Sequence, residues 1–258
     1  MIHGLYTATW GAIASEMRHQ VIANNLANVN TPGFRADWTA MTGYRNLDEV
    51  RAEVARPDRR LLWTVGGGAM VAETRTMHAA GPAQETGRST DLAINGDEGF
   101  FAVQRGEEVR YTRAGNFRIG PRGELLTADG SWQVQGEGGG LILVGGPDFT
   151  VGRDGTVSRV REGLTEEVGR VRLVRFDRPD RLVKTGETMF QAPEDAGVRA
   201  GGAEVAVEQG FLEGSGTNAA EGMVRMIEAF RSYEFNMQLV RAHDQLLGQA
   251  ASGIARLS

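Results

Sequence analysis

At the start of the chain Ile2, Tyr6, Trp10, Ile13, Met17 and Val21 recur three and four positions apart, the spacing that gathers side chains on one face of a helix. The stripe is narrow and runs into Asn24-Asn25-Leu26-Ala27-Asn28-Val29-Asn30-Thr31-Pro32-Gly33-Phe34. Asparagines followed by Pro-Gly favour left-handed and turn conformations over further helix, so this helix is predicted to stop around residues 28 to 30. Near the other end, alternate steps of three and four give Met223, Met226, Phe230, Tyr233, Met237, Val240, Asp244, Leu247, Ala251 and Ile254, all apolar except Asp244. That is the seam of a coiled coil. Asn218, with Glu221 three residues later, has the pattern of a capping box, and no proline follows Pro193.

Between these ends the period changes. From about Asp91 to Phe211 short apolar runs alternate with turn residues, as in an antiparallel all-β domain. The strand candidates are 92–94, 100–104, 109–112, 116–119, 125–127, 132–135, 141–144, 157–161, 168–176 and 205–208, separated by turn formers such as Asn95-Gly96, Asp129-Gly130 and Asp154-Gly155. Residues 35 to 88 are polar, arginine-rich and carry a triple glycine at Gly66-Gly67-Gly68. They read as a connector with one or two short extended segments, and residues 44 to 60 read equally well as a loop.

The fold class that follows is α+β, with a central antiparallel all-β domain inserted between N- and C-terminal coiled-coil-forming helices. Its parts are an N-terminal helix (1–30), a connector (31–88), the β domain (89–213) and a C-terminal helix (214–258). A last helix of roughly 38 residues is about 57 Å long, whereas a compact domain of about 120 residues is nearer 35 Å across. The helix must overhang, and an overhanging apolar seam needs something to bury against. The N-terminal helix covers part of it. Both helices carry further apolar residues off the main stripe, Leu5, Ala12, Ile22 and Leu26, then Val224, Ile227, Leu239 and Leu246. These second faces are expected to pack against neighbouring copies; the alternative is a two-helix stalk closed on itself. Asp244 is expected at a splayed or solvated layer, or paired with an arginine of a partner helix.

Composition mostly removes possibilities. Among 258 residues there is no cysteine, which excludes disulfides, thiolate metal sites and cysteine nucleophiles. Glycine is abundant, at 36, without a collagen period, and is expected in turns. A formal net charge of −5 gives no bias towards nucleic acid. Lys184 is the only lysine among 28 basic residues. It does not follow a glycine-rich loop, so no phosphate-binding motif is present. No apolar run reaches the length of a membrane span, and the N-terminus lacks the features of a cleaved signal peptide. The four histidines, His3, His19, His78 and His243, show no ligand spacing. Neither a metal site, a cofactor nor a catalytic site is expected.

The segment Val21–Phe34 resembles the N-terminal signature of the axial proteins of the bacterial flagellum, the rod and hook family. Further blocks are similar to that family in order and spacing: Asp91-Leu92-Ala93-Ile94-Asn95-Gly96, Gly99-Phe100-Phe101, Tyr111-Thr112-Arg113, Gly115-Asn116-Phe117, Gly123 to Gly130, and Gly152 to Ser158. A last block is Gly210-Phe211-Leu212-Glu213-Gly214-Ser215, leading into Met226-Ile227 and Arg231-Ser232-Tyr233-Glu234. The family commonly continues that block with Ser-Asn-Val, where this chain has Ser215-Gly216-Thr217-Asn218.

The resemblance implies a structural subunit of the flagellar basal-body rod and not an enzyme. It implies polymerisation through the terminal helices into a shaft that carries torque from motor to hook. Partners would be other copies, neighbouring rod subunits and the flagellar type III export apparatus, with no nucleic acid and no membrane insertion. The location would be the periplasmic rod, reached without a cleaved signal. The packing residues would be Ile2, Tyr6, Trp10, Ile13, Met17, Val21, Met223, Met226, Phe230, Tyr233, Met237, Val240, Leu247 and Ile254. Asn24, Asn25, Leu26, Ala27, Asn28, Thr31, Pro32, Gly33 and Phe34 form the family motif. The start Met1–Ala8 and the turn Thr31–Ala36 look more like the proximal-rod component with a β domain than the distal-rod or hook proteins. The alternatives are a distal-rod or hook-type subunit, a monomeric binding module with a coiled-coil stalk, and a glycan-acting enzyme using acids of the β region. Against the last, Asp97, Asp129 and Asp154 sit beside glycines or in turns, where aspartate serves the turn itself.

Overall fold

The structure is a computed structural model and describes residues 2–43, 69–161, 164–186, 188–201 and 205–255; the side chains of Ile2 and Ile254 lie outside the described part. The loop reading for residues 44 to 60 and the triple glycine also fall outside it. The chain forms two compact units, residues 1–26 with 37–75 and 219–258, and residues 27–36 with 76–218.

In the first unit the two helices are α1 (Ile2–Ala27) and α2 (Ala219–Ala255), accompanied by a ribbon of β1 (Asp37–Gly43) and β2 (Ala69–Thr76). Helix α1 ends just before the asparagine-rich turn, and α2 starts one residue after Asn218, both close to where the turn chemistry places them. Asn25 fastens the ribbon to α1, its side-chain amide donating to Asp37 O at 2.7 Å and its oxygen accepting from Asp37 N–H at 2.9 Å. A single asparagine side chain here copies the paired bonds of a β ladder.

The helices run antiparallel and meet through small and polar residues. Gly4 faces the His243 imidazole, Gly11 the Asn236 amide, and Leu26 lies against Gly222. Ser15 Oγ and Ser232 Oγ are 3.0 Å apart, and the rings of His19 and Phe230 lie 6.3 Å apart. Ala8, Ala12, Ser15, Ile22 and Ala229 are buried. This corrects the expectation for α1. Its stripe of large residues does not form the inner face, since Tyr6, Ile13 and Met17 are 63%, 41% and 46% exposed, whereas Ala12 and Ile22, expected to turn outward, are buried. On α2 the half-buried or buried positions step through Gly222, Met226, Ala229, Tyr233, Asn236, Val240, His243 and Leu247. Half of the expected seam is therefore kept. Met223, Phe230 and Asp244 are exposed because the inner face passes one residue earlier, through Gly222, Ala229 and His243, with Met237 half-buried beside Asn236. The physical reason is backbone approach, because glycine, alanine and serine let two helices come close while large side chains hold them apart.

The second unit is built around β5 (Gly99–Arg105). That strand pairs with β6 (Glu108–Thr112), β9 (Gln133–Val134) and β13 (Leu173–Phe176) in a nine-stranded antiparallel sheet. Its residues are apolar on both faces, which suits a strand covered on both sides. Phe101 points into a core with Leu92, Phe117, Val134, Ile142 and Leu173, and Phe100 and Ala102 into a second with Tyr111, Phe176, Leu182 and Phe190. Aromatic rings meet edge to face in both, Phe101 with Phe117 at 5.2 Å and Tyr111 with Phe176 at 4.9 Å.

Most predicted strands are present, and two differ. Residues 141–144 alternate between exposed and buried but make only isolated bridges, from Leu141 to Gln135 and from Leu143 to Glu124. The run 168–176 is two strands, β12 (Leu164–Arg170) and β13, because at Val171 and Arg172 the chain leaves one sheet for another. There Val171 N–H donates to Gly155 O and Arg172 N–H to Gln135 O.

Candidate functional site: helix faces and a buried motif cluster

Each unit presents one candidate site. In the first it is the outer surface of the helix pair. Its exposed apolar side chains are Tyr6, Ile13 and Met17 on α1, then Met223, Val224, Ile227, Phe230, Phe235, Leu239 and Leu246 on α2. Val224, Ile227, Leu239 and Leu246 lie outward as the second face of that helix was expected to. Isolated exposed apolar residues are ordinary, but a row of them along a long helix is a surface of the kind that protein–protein contacts use. Among the described residues no helix is long and apolar enough to cross a membrane.

In the second unit the site is a buried cluster in which sequence blocks far apart in the chain converge. The segment after α1 is closed by Thr31, whose N–H donates to Asn28 O and whose hydroxyl donates to Asn28 Oδ1, both at 3.1 Å. Gly33 has φ +66°, and a Cβ there would lie 2.4 Å from the backbone at Arg113 and Ala114. Only glycine meets both conditions. The turn then drives Phe34 and Arg35 into the interior, where they are 1% and 0% exposed.

Glu213 is the centre of the cluster. It ends β18 (Phe211–Glu213), which pairs with β3 (Ala83–Glu85). Its Oε1 forms an ion pair with Arg35 Nη1 at 2.9 Å and accepts from Gly81 N–H at 3.0 Å. Its Oε2 accepts from Arg113 Nε at 2.7 Å, and its backbone carbonyl accepts from Gly33 N–H at 2.8 Å. Arg113 also donates to the carbonyls of Gly99 and Gly96, and Arg35 to that of Ala79. The remaining member of the turn is held by Lys184, whose Nζ donates to Arg35 O at 2.7 Å and lies 4.0 Å from the Phe34 ring centroid.

Two buried guanidinium groups thus share one buried carboxylate, and the surroundings register the excess charge. Burial above all, with Arg113 nearby, brings the Arg35 pKa down to about 10 against the pull of Glu213, so the group stays protonated at neutral pH. His78 packs against the rings of Phe100 and Phe190 at 6.0 and 5.6 Å. Burial, followed by the neighbouring Arg35, pushes its pKa down to about 4, so its imidazole is neutral at pH 7.

The parts of this cluster are legible in the sequence and its connections are not. Gly33 and Phe34 belong to the family motif, and Arg113 and Glu213 stand inside motif blocks, but nothing in their spacing pairs residues 100 positions apart. Arg35 and His78 carried no signal, because a charged residue beside a turn reads as solvated. Of Asp97, Asp129 and Asp154, Asp97 accepts from Ala80 N–H at 2.8 Å, and the other two aspartates serve local turns. Asp129 accepts from the Thr127 hydroxyl, and Asp154 from the Thr156 hydroxyl and Arg170, which holds both carboxyls below the usual range. Among the described residues no group of three or more histidines and acids is placed to hold a metal ion.

A β unit with its own cores, joined in the chain to a helix pair that turns its larger side chains outward, is the make-up of a structural subunit of an assembly. Comparison with known proteins gives that class its family. The model described as "Flagella basal body rod protein" matches residues 5–35, the flagellar hook protein FlgE/F/G D1 domain matches 93–159, and the flagellar basal body rod FlgEFG protein C-terminal domain matches 208–253. The flagellar basal-body rod protein FlgG of Bacillus subtilis is 32% identical over 264 residues, covering 96% of this chain and 97% of its own length. The rod protein FlgF of Caulobacter vibrioides is 32% identical, covering 100% of this chain and 98% of its own, and FlgF of Salmonella typhimurium 31%, covering 97% of each. The chain belongs to the flagellar basal-body rod protein family and is a structural subunit of the bacterial flagellar rod.

Proposed function

We propose that the subunit polymerises through the outward faces of α1 and α2, packing against other copies of itself and neighbouring rod subunits to form the shaft that carries torque from motor to hook. One observation carries this reading: the helices meet through Gly4, Gly11, Ser15 and Ala229 and leave Tyr6, Ile13, Ile227 and Phe235 uncovered. Apolar area is worth about 25 cal/mol per Å² when removed from water, so the surface left outside is the larger reserve of binding free energy. Trp10, Val21, Met226, Tyr233, Met237, Val240 and Leu247, half-buried in the single subunit, support that outer layer from beneath.

The role is structural and non-enzymatic. The motif blocks support a place in the periplasmic rod, of the proximal type, and delivery by the flagellar export apparatus without a cleaved signal. Phe230→Asp tests the assembly reading. The side chain is half exposed, so the isolated subunit should keep its helix content and its β unit, while in the assembly the new carboxylate would be buried unpaired. Loss of motility and of rod incorporation by a folded variant is the expected result, and normal swimming by that variant would overturn the proposal.

A further inference from the structure

The chain uses arginine at every basic position but one, so its single lysine asks for a reason. Lys184 lies on β14 (Val183–Lys184), an edge strand paired with β15 (Met189–Gln191). The side chain leaves that edge for the turn that continues α1. There its ammonium donates to Arg35 O at 2.7 Å and sits 4.0 Å from the centre of the buried Phe34 ring. A compact ammonium can do both at once, because one hydrogen points along the carbonyl while the charge faces the ring. A guanidinium centred at the same point would carry its NH₂ groups over 1 Å further out, roughly, against the ring or past the carbonyl.

We infer that Lys184 is a positioning residue for assembly: it clips the Thr31–Ala36 turn to the sheet edge and so fixes the conformation in which the chain is handed to the first assembly helix. The turn is also fastened on the Glu213 side of the cluster, through the Arg35 side chain and the Gly33 N–H, and by the backbone N–H groups of Gly216 and Met77, which donate to Phe34 O at 2.9 Å and Ala36 O at 2.8 Å. Lys184 supplies a separate hold, on the Arg35 carbonyl and the Phe34 ring. Loss of the clip should loosen the turn without opening the cores, since Lys184 belongs to neither of them.

The inference rests on the helices being assembly surfaces, and its test separates the two ideas. In the purified full chain, Lys184→Met should raise hydrogen exchange in the peptide spanning residues 29–36 by about tenfold or more, with exchange in the β5 and β13 peptides unchanged. Lys184→Arg should show the same local loosening. As the only side-chain amine, Lys184 also reports on itself: acetylation should be slow in the native chain and several-fold faster in Phe34→Leu, with the circular dichroism spectrum retained. Unchanged exchange in 29–36, or a uniform rise across the unit, would overturn the clip. A loosened turn with undiminished rod incorporation and swimming would overturn the positioning role and leave the assembly surfaces untouched. Failure of Phe230→Asp to affect motility would strike at the surfaces instead.

Discussion

Glu213 Oε2 and Arg113 Nε are 2.7 Å apart, both side chains buried, although the two residues are 100 positions apart in the chain. The same carboxylate holds Arg35, so one acid neutralises part of two interior cations. Breaking a buried pair from one side leaves an uncompensated charge and typically costs about 3–5 kcal/mol. Glu213→Gln keeps the shape and removes the charge, leaving Arg35 and Arg113 both unmatched. Denaturant unfolding of the β unit should therefore show a loss of about 3 kcal/mol or more. A change under about 1 kcal/mol would mean that the guanidinium groups are satisfied by other acceptors.

Gly33 offers a backbone test of the same cluster. Its φ of +66° alone costs a residue with a Cβ about 1–2 kcal/mol. The Cβ would also press on the Arg113–Ala114 backbone, which cannot rotate away as a side chain can. Gly33→Ala should destabilise the unit by more than the conformational cost alone, roughly 2 kcal/mol or more. Gly87→Ala is the control, because it shares a positive φ but has open space around its Cβ, and its cost should stay near the conformational figure. Equal effects of the two changes would remove the argument from close approach.

His78 makes the cluster sensitive to acid. Its pKa is about 4 when folded against 6.5 for the free side chain, because burial and Arg35 disfavour the imidazolium. Arg113 adds to that, while Asp180 and a hydrogen bond with the Pro179 backbone work the other way. The unfolded chain therefore binds this proton first. The stability that depends on a neutral His78 is complete above about pH 6.5, declines as pH falls below it and is lost by about pH 4. With solvent screening of a half-buried ring the total comes to about 2 kcal/mol. Urea midpoints measured from pH 7 to pH 4 should fall more steeply for the native chain than for His78→Gln. Parallel slopes would show that carboxylates account for the whole acid effect.

How much of this was legible follows from what each kind of residue signals. Asp154-Gly155 announces its turn because the carboxyl binds its own loop and Gly155 adopts φ +85°. A short continuous apolar run, Phe100 to Val103, announces β5, and turn chemistry announces both helix ends. Residue size was what periodicity missed. Gly4, Gly11 and Ser15 form the inner face of α1, yet none counts as hydrophobic, so the eye follows Tyr6, Ile13 and Met17 to the outside. Short strands such as β14 lie below any period, and their pairing is fixed by Phe190 in a core assembled from distant chain. The buried ions were invisible for a related reason: an arginine's neighbours in sequence do not reveal that a glutamate far along the chain will meet it.

The inside-outside assignment of α2 can be decided by enlarging one face and blunting the other. Ala229 is 1% exposed on the inner face, and Ile227, two positions earlier, is 54% exposed. Ala229→Leu adds three carbons where there is no room, and overpacking of this kind costs about 1–3 kcal/mol. The helix pair of the isolated subunit should lose thermal stability and helix content. Ile227→Ser removes apolar surface that the single subunit does not bury, so its helix content and melting should stay near those of the native chain. Rod incorporation, measured by the amount of subunit in purified basal bodies, should fall for Ile227→Ser despite that normal monomer. The reverse pattern, with Ile227→Ser melting early and Ala229→Leu indifferent, would place the large residues inside and restore the seam that periodicity alone suggests.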